Sequence, residues 1–294
     1  MNNRFLIILL TVSGLTAFSQ TNQGLYFGGN VGMNSLIYSI DGGSSKPKLG
    51  FGGKIGYVYY FSPNWGIGTG VGVSFCATEG YLNGAKISFE NQIDDEAQRY
   101  RKDIYFRNWS EKQTFFLAEV PVLLHYRYNF GLQKRRELYV YLGAKCQLPL
   151  MASYAVTNGE IETQGYYPEY EVILFGLPNH GFGTEKNKAM SGSVSLPFNI
   201  SVSLGIGFSF EVAKMVDIYA GGAFDYGFLN LKPGDSGDLL YFDNNNNLNY
   251  RGILLSSITE KANFVSVQGE VGVRLVIGKP FARGGIYGYK NRTK

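Results

Sequence analysis

The sequence predicts an all-β chain: an eight-stranded antiparallel up-and-down transmembrane β-barrel with short periplasmic turns and long extracellular loops. Three observations predict it. Apolar residues recur at alternate positions in eight runs, the period of a strand with one face toward an apolar medium. The runs outlast the ~5–6 residues of an ordinary soluble strand and match the ~9–11 of a tilted membrane strand. The connections alternate short and long, as in a membrane barrel, whereas a sandwich has no reason to gather its long loops at one end.

Composition agrees. The 294 residues hold 39 Gly, 22 Tyr and 21 Phe, and only 17% are charged. So many aromatics exclude a disordered chain. Two cysteines exclude a disulfide scaffold. Beyond the N-terminal segment no apolar run reaches the ~20 residues of a spanning helix.

Residues 1–19 read as a secretory signal peptide. A polar, basic start ending at Arg4 precedes an apolar run from Phe5, and Ala17-Phe18-Ser19 places small residues before a cut ahead of Gln20. A membrane-anchoring helix is the alternative, but the run is short and broken by Gly14. No Cys stands near the cut to carry a lipid. The expected domains are the signal 1–19, the barrel 20–278 and a basic tail 279–294.

The runs follow in order. The first sets Leu25, Phe27, Gly29, Val31 and Met33 on one face. The second runs from Leu49 through Phe51 and Ile55 to Phe61, the third from Trp65 through Val71 to Phe75. The fourth holds Ala118, Val120, Val122, Leu124, Tyr126 and Tyr128, and the fifth Leu138 through Leu142 and Cys146 to Leu150. The sixth runs from Ile200 to Val212, the seventh from Ile218 to Phe228, and the eighth from Val265 to Ile277. Phe61, Trp65, Tyr126, Tyr128, Phe130, Phe228 and Phe264 suit the aromatic girdles of a membrane barrel.

Ser62-Pro63-Asn64, 131–137 and 213–215 are the short turns. The long connections fall near 39–48, 79–112, 155–197 and 230–262. A ten-stranded barrel would need a hairpin from 79–112 or 155–197 in the bilayer. The charges of the first, Asp94, Asp95, Glu96, Arg99, Arg101, Lys102 and Asp103, place any such hairpin above the membrane instead.

The faces opposite the apolar runs point inward. By parity they carry Lys54, Arg127, Lys145 and Arg274 with Glu119, Glu211, Asp217, Asp225 and Glu270, and His125 joins them. An eight-stranded interior is only wide enough to be filled by side chains. Buried charges must be paired, so the set reads as a plug of ion pairs, with a conducting path as the sharper alternative. The partner of Arg274 stays open among Glu270, Glu119 and Asp217. Pro121 has no N–H and predicts an unmade ladder bond or a bulge. Gly66, Gly68, Gly70 and Gly72 share the inward face, which must stay thin, opposite large side chains such as Tyr139 and Tyr141.

The run Phe116-Leu117-Ala118-Glu119-Val120-Pro121-Val122-Leu123-Leu124-His125-Tyr126 resembles the L-E-I-P-L-L-L-K-Y strand of the PorT-like outer-membrane β-barrel proteins of Gram-negative bacteria. Gly221-Gly222-Ala223-Phe224-Asp225-Tyr226-Gly227-Phe228 resembles their G-x-x-Y-x-Y-G-L strand, and Gly269-Glu270-Val271-Gly272-Val273-Arg274-Leu275 their closing V-G-L-R-F strand. The likeness spans most of the chain, and Glu-x-Pro is its distinctive part. It implies an eight-stranded barrel in the cell outer membrane, with a role in protein secretion for some members. Many such chains stop on an aromatic, whereas this one continues to Lys294.

No enzyme is expected. A Ser–His–acid site needs His125 or His180, and neither sits in a pattern that specifies a base. Two histidines and two distant cysteines fit no usual zinc layout. Cys76 is expected to face inward and Cys146 lipid, which allows no disulfide. Asp243 and the four asparagines after it lack the Gly and closing Glu of a calcium loop. No cofactor or metal is expected. The expected partners are outer-membrane lipid and, through the loops, an extracellular protein or glycan, with no nucleic acid. Tyr100, Tyr105, Phe106, Trp109, Tyr166, Tyr167, Tyr170 and Phe175 are the loop aromatics that suit such contacts. The basic tail and Arg135–Arg136 could meet an anionic periplasmic partner. A non-enzymatic barrel displaying loops for binding is the leading function. A narrow channel or a secretion component is the alternative.

Overall fold

The structure, a computed structural model, describes residues 22–131, 135–186, 190–234, 237–242 and 248–277. The expected signal segment 1–19, the tail 279–294 and the Asn-rich tip 243–247 lie outside them. Eight strands form the ring: β1 (Asn22–Ile40), β2 (Leu49–Tyr60), β3 (Trp65–Leu82), β4 (Arg99–Phe130), β5 (Arg136–Tyr167), β6 (Asn199–Ala213), β7 (Val216–Gly227) and β8 (Thr259–Ile277). Each pairs antiparallel with its neighbours in sequence. β8 closes on β1, where Tyr26 faces Arg274 and Asn30 faces Glu270. Closure leaves no open edge in the bilayer, the condition for strands to cross lipid.

The eight apolar runs form the outer face. Val31, Phe51, Val71, Val122, Leu142, Ile206 and Val271 are all exposed there. Two aromatic bands bound this belt. At the upper end Phe51 stacks on Phe75 with centroids 5.1 Å apart, and Phe75 meets Phe116 at a tilt, 5.2 Å away. Trp65, Tyr126 and Tyr128 stand exposed at the lower end. The strand rise and a ~40° tilt put about 25 Å between Phe116 and Tyr126, the height of a barrel's apolar band. Phe264 is no girdle residue: it is 1% exposed, inside the barrel, because it stands one residue out of phase with Val265.

The ring strands run on where long loops were expected. β4 and β5 are 32 residues each. Strand Lys86–Ile93 pairs with β4, and strands Val172–Leu174, Gly183–Lys186 and Ser191–Ser193 pair with β5. Strand Gly43–Pro47 likewise extends the sheet along β3. Above the upper band the outer face meets water, so the alternation inverts. Lys112 and Arg107 point out, while Phe115, Trp109, Phe106 and Ile104 turn in. The polarity of the two faces reverses above Phe116, and a bulge between Arg107 and Ser110 then shifts the parity itself, so a search for apolar outer faces stops at Phe116.

Pro121 interrupts the β3–β4 ladder without shifting it. Thr69 pairs with Val122 and Gly72 with Glu119, with no pairing recorded for Gly70 and Val71 between them. The Thr69 hydroxyl donates to the Pro121 carbonyl at 2.9 Å.

Candidate functional site in the barrel interior

The lowest layer is built on Arg274. Its guanidinium donates to both Glu137 oxygens, at 2.6 and 3.0 Å, and to Asp217 at 2.6 Å. Arg127 lies flat on the Tyr60 ring, 3.6 Å from its centroid, and donates to the Pro63 carbonyl at 2.8 Å. The turn after β2 is thereby fastened across the floor, and Asn64 adds a 2.8 Å bond to the Arg127 carbonyl. Of the three partners weighed for Arg274, Asp217 is one. Glu270 and Glu119 bond elsewhere. Glu137 is an addition, hidden by its assignment to the 131–137 turn; its parity with Tyr139 and Tyr141 was the available signal. Glu211 sits half-buried at this rim, opposite Asp217 in the β6–β7 register.

The middle layer gathers on Glu270. Lys54 pairs with it, and the hydroxyls of Tyr139 and Tyr141 donate to it at 3.0 and 3.1 Å. The two rings stack with centroids 6.4 Å apart. They press on Gly207 and Gly205, where a Cβ would run into each tyrosine. Gly66 and Gly68 instead give room to Tyr60 and His125, not to Tyr139 and Tyr141, because β3 faces those side chains through its β2 and β4 neighbours. Above Glu270, Lys145 pairs with Asp225 at 2.9 Å, and Gln147 links Glu119 at 3.2 Å to Asn199 at 2.6 Å.

A cavity of about 50 Å³ remains between the lower layers, bordered by Tyr26, Lys54, His125, Tyr219, Glu270 and Arg274. It has room for a few water molecules. The buried His125 Nε2 and Tyr219 hydroxyl have no hydrogen-bond partner among the described residues.

The upper interior is apolar. Leu36, Tyr38, Cys76, Phe115, Leu117 and Phe264 line the mouth. The connection between β7 and β8 folds over it as a lid and inserts Leu239, Leu240, Ile253 and Leu254 among them. One carboxylate latches this lid. Glu111 is fully buried on β4 and accepts from the Tyr250 hydroxyl at 2.6 Å, from Gln113 at 2.7 Å and from the Ile253 amide at 3.0 Å. Burial pushes its carboxyl above the usual range, although those three donors pull the other way. Phe106, Trp109 and Tyr167, expected among the binding aromatics, are buried. Tyr170 and Phe175 are exposed at the far tip.

The histidines never meet: His125 is in the lower lumen and His180 in the outer turn Pro178–His180. Cys76 is buried and Cys146 exposed on the lipid side.

No curated protein matches the chain. Among solved structures it is similar to OprG of Pseudomonas aeruginosa, at 11% identity over 89% of this chain and 97% of that one, with a TM-score of 0.39. Neisserial surface protein A gives 11% identity, 86% and 96% coverage, and a TM-score of 0.33. Ail of Yersinia pestis, solved with the heparin analogue sucrose octasulfate, gives 14%, 88%, 100% and 0.28. The family profile is the stronger match: "Outer membrane protein beta-barrel domain" covers residues 18–233. A closed ring of eight lipid-facing strands and a profile over most of its length together make this chain a member of the outer membrane protein β-barrel domain family, resident in the outer membrane.

Proposed function

We propose that this is a non-enzymatic, closed outer-membrane barrel that carries the β4–β5 extension as a binding platform outside the cell. One observation carries the reading: the bore is crossed by ion pairs below and capped by the lid and its apolar core above, while β4 and β5 continue well past the upper aromatic band. Lys54, Glu119, His125, Arg127, Lys145, Glu211, Asp217, Asp225, Glu270 and Arg274 then serve as the structural plug, with Glu137. The separation of His125 from His180 supports a role without catalysis.

Planar-bilayer recording tests it. The purified protein inserts without conductance steps. Steady conductance through the wild type would overturn the reading and favour a narrow channel, for which the cavity beside His125 is the supporting feature. PorT-like membership, and with it a secretion role, rests on the strand patterns around Glu119-Val120-Pro121 and Arg274. It predicts that deleting the gene leaves secreted proteins in the periplasm.

A further inference from the structure

Above the upper aromatic band the outer face of β3 and β4 turns from apolar to basic within two rungs. Strand Gly43–Pro47 sets Lys46 opposite Glu79 of β3, and Glu79 stands opposite Lys112 of β4. Residues directly opposite on paired strands share a face. Phe75 and Phe116, four residues back along β3 and β4, pair in the lipid belt, so this row points outward as well. Lys48 joins it from one rung below. Its amide bonds to the Ala77 carbonyl at 3.2 Å and its ammonium to Glu79 at 2.6 Å. Three lysines thus gather around one carboxylate. Lys46 lies 5.6 Å from the centroid of the Tyr81 ring, and Lys112 is exposed. Neither of these two is held in an ion pair among the described residues.

Their height is that of lipid headgroups. Four residues of strand at a ~40° tilt raise the row about 10 Å above the Phe75–Phe116 pair, and Lys48 about half as far. The aromatic band marks the edge of the hydrocarbon, and the headgroup layer beyond it is about 5–8 Å thick. Lysine stems let the ammonium groups bend down into that layer. The apolar wall continues beneath them: Leu49 is 75% and Phe51 59% exposed. On the rung between, the Thr114 and Ser153 hydroxyls meet at 3.2 Å. A net positive patch that runs directly into the lipid-facing wall fits an amphiphile with an anionic head, since the membrane already covers the wall.

We propose that Lys46, Lys48 and Lys112 seat the phosphate headgroup of one outer-leaflet lipid, whose acyl chain lies on Leu49 and Phe51. Three ammonium groups against one carboxylate leave +2. A phosphomonoester carries about −1.5 to −2 at neutral pH and balances that excess. Lys46 and Lys112 give it charge-assisted donors. A zwitterionic head brings no net charge. The proposal goes beyond the platform reading and stands on the membrane placement of the barrel alone, so conductance of the bore would leave it untouched.

Native mass spectrometry of the whole protein in a non-ionic detergent tests it, with phosphatidic acid, phosphatidylcholine or inorganic phosphate added. Phosphatidic acid is retained most tightly. The triple change Lys46→Gln, Lys48→Gln, Lys112→Gln weakens its retention by about tenfold or more, each lysine at a membrane surface accounting for roughly fivefold, and flattens its salt dependence. Lys86→Gln, Lys186→Gln, Lys214→Gln, which neutralises three exposed lysines elsewhere, leaves retention unchanged. Equal loss in the two triple variants, or equal retention of phosphatidylcholine and phosphatidic acid by the wild type, overturns the proposal. So does displacement of the lipid by an excess of inorganic phosphate, which would place the affinity in the ion alone. A phosphatidic acid with a photo-crosslinker beside its headgroup reads the same contact on the unaltered protein in nanodiscs. Label at 44–49, 77–81 and 110–114 supports the seat, and label confined elsewhere overturns it.

Discussion

Arg274 on β8 reaches across the bore to Glu137 on β5 and closes a two-pronged ion pair with it, at 2.6 and 3.0 Å. β6 and β7 lie between those strands in the ring. The pair therefore ties non-adjacent staves of the barrel, which ladder bonds cannot do. Arg274→Met removes the guanidinium from both Glu137 and Asp217. Breaking a buried pair from one side costs about 3–5 kcal/mol. Adding Glu137→Gln and Asp217→Asn recovers most of that loss. Urea titration in lipid vesicles, followed by heat-modifiable gel migration, measures both steps. A triple variant no more stable than Arg274→Met would show that the charges are not a structural plug.

Val122 stands 59% exposed at mid-height on the lipid side, and its neighbour Leu123 is 5% exposed beside the central cavity. Val122→Arg puts a charge in the bilayer and costs about 2–4 kcal/mol. Leu123→Arg keeps the lipid face intact and disturbs the interior instead, so its cost does not depend on bilayer thickness. Folding titrations in thin and thick lipids separate the two.

Inner and outer glycines differ in what they tolerate. Gly207→Ala sets a methyl against the Tyr139 hydroxyl and the Ala220 carbonyl, and overpacking of this kind costs about 1–3 kcal/mol. Gly222→Ala, on the outer face with only a backbone oxygen 3.8 Å away, leaves stability within roughly 0.5 kcal/mol. Thermal gel-shift midpoints of the two variants give the comparison.

The lid should respond to pH through Glu111. Its carboxyl is raised in the folded state by burial, so the folded protein holds that proton more tightly than the unfolded chain does. The stabilisation is complete below the ordinary glutamate value near pH ~4.3 and fades as the pH rises through the raised one. Tyr38, Tyr154 and Tyr250 are the titratable groups that feel its charge, and Trp109 donates to Tyr250. Protease cutting within 229–258 becomes faster as the pH is raised from about 4 to about 7, and Glu111→Gln flattens the profile. A profile unchanged by Glu111→Gln would place the titrating group elsewhere.

The lipid-facing parts of all eight strands were legible because the bilayer imposes one rule on one face. Val31, Val71, Val122 and Val271 obey it without reference to any neighbour. The parts above the membrane were not, since water reverses the rule: Trp109 and Phe106 are interior there, although they look like display residues in a charged stretch. The bore was legible by parity alone, residue by residue, but not by pairing. Parity says that Arg274 points inward; only the ring's closure brings it to Glu137, on the far side of two intervening strands. Glu137 was lost for a simpler reason, a turn boundary drawn two residues too late.

The latch between Glu111 and Ile253 spans 142 residues of sequence. Contacts of this span carry the largest loop-closure cost, so the latch depends on the whole ring rather than on the hairpin that carries Glu111. Removing the β7–β8 connection would take the Tyr250 ring off Trp109 and the Ile253 amide off Glu111. A change confined to one outer connection would thus reopen the upper bore while the lipid-facing ring stayed whole.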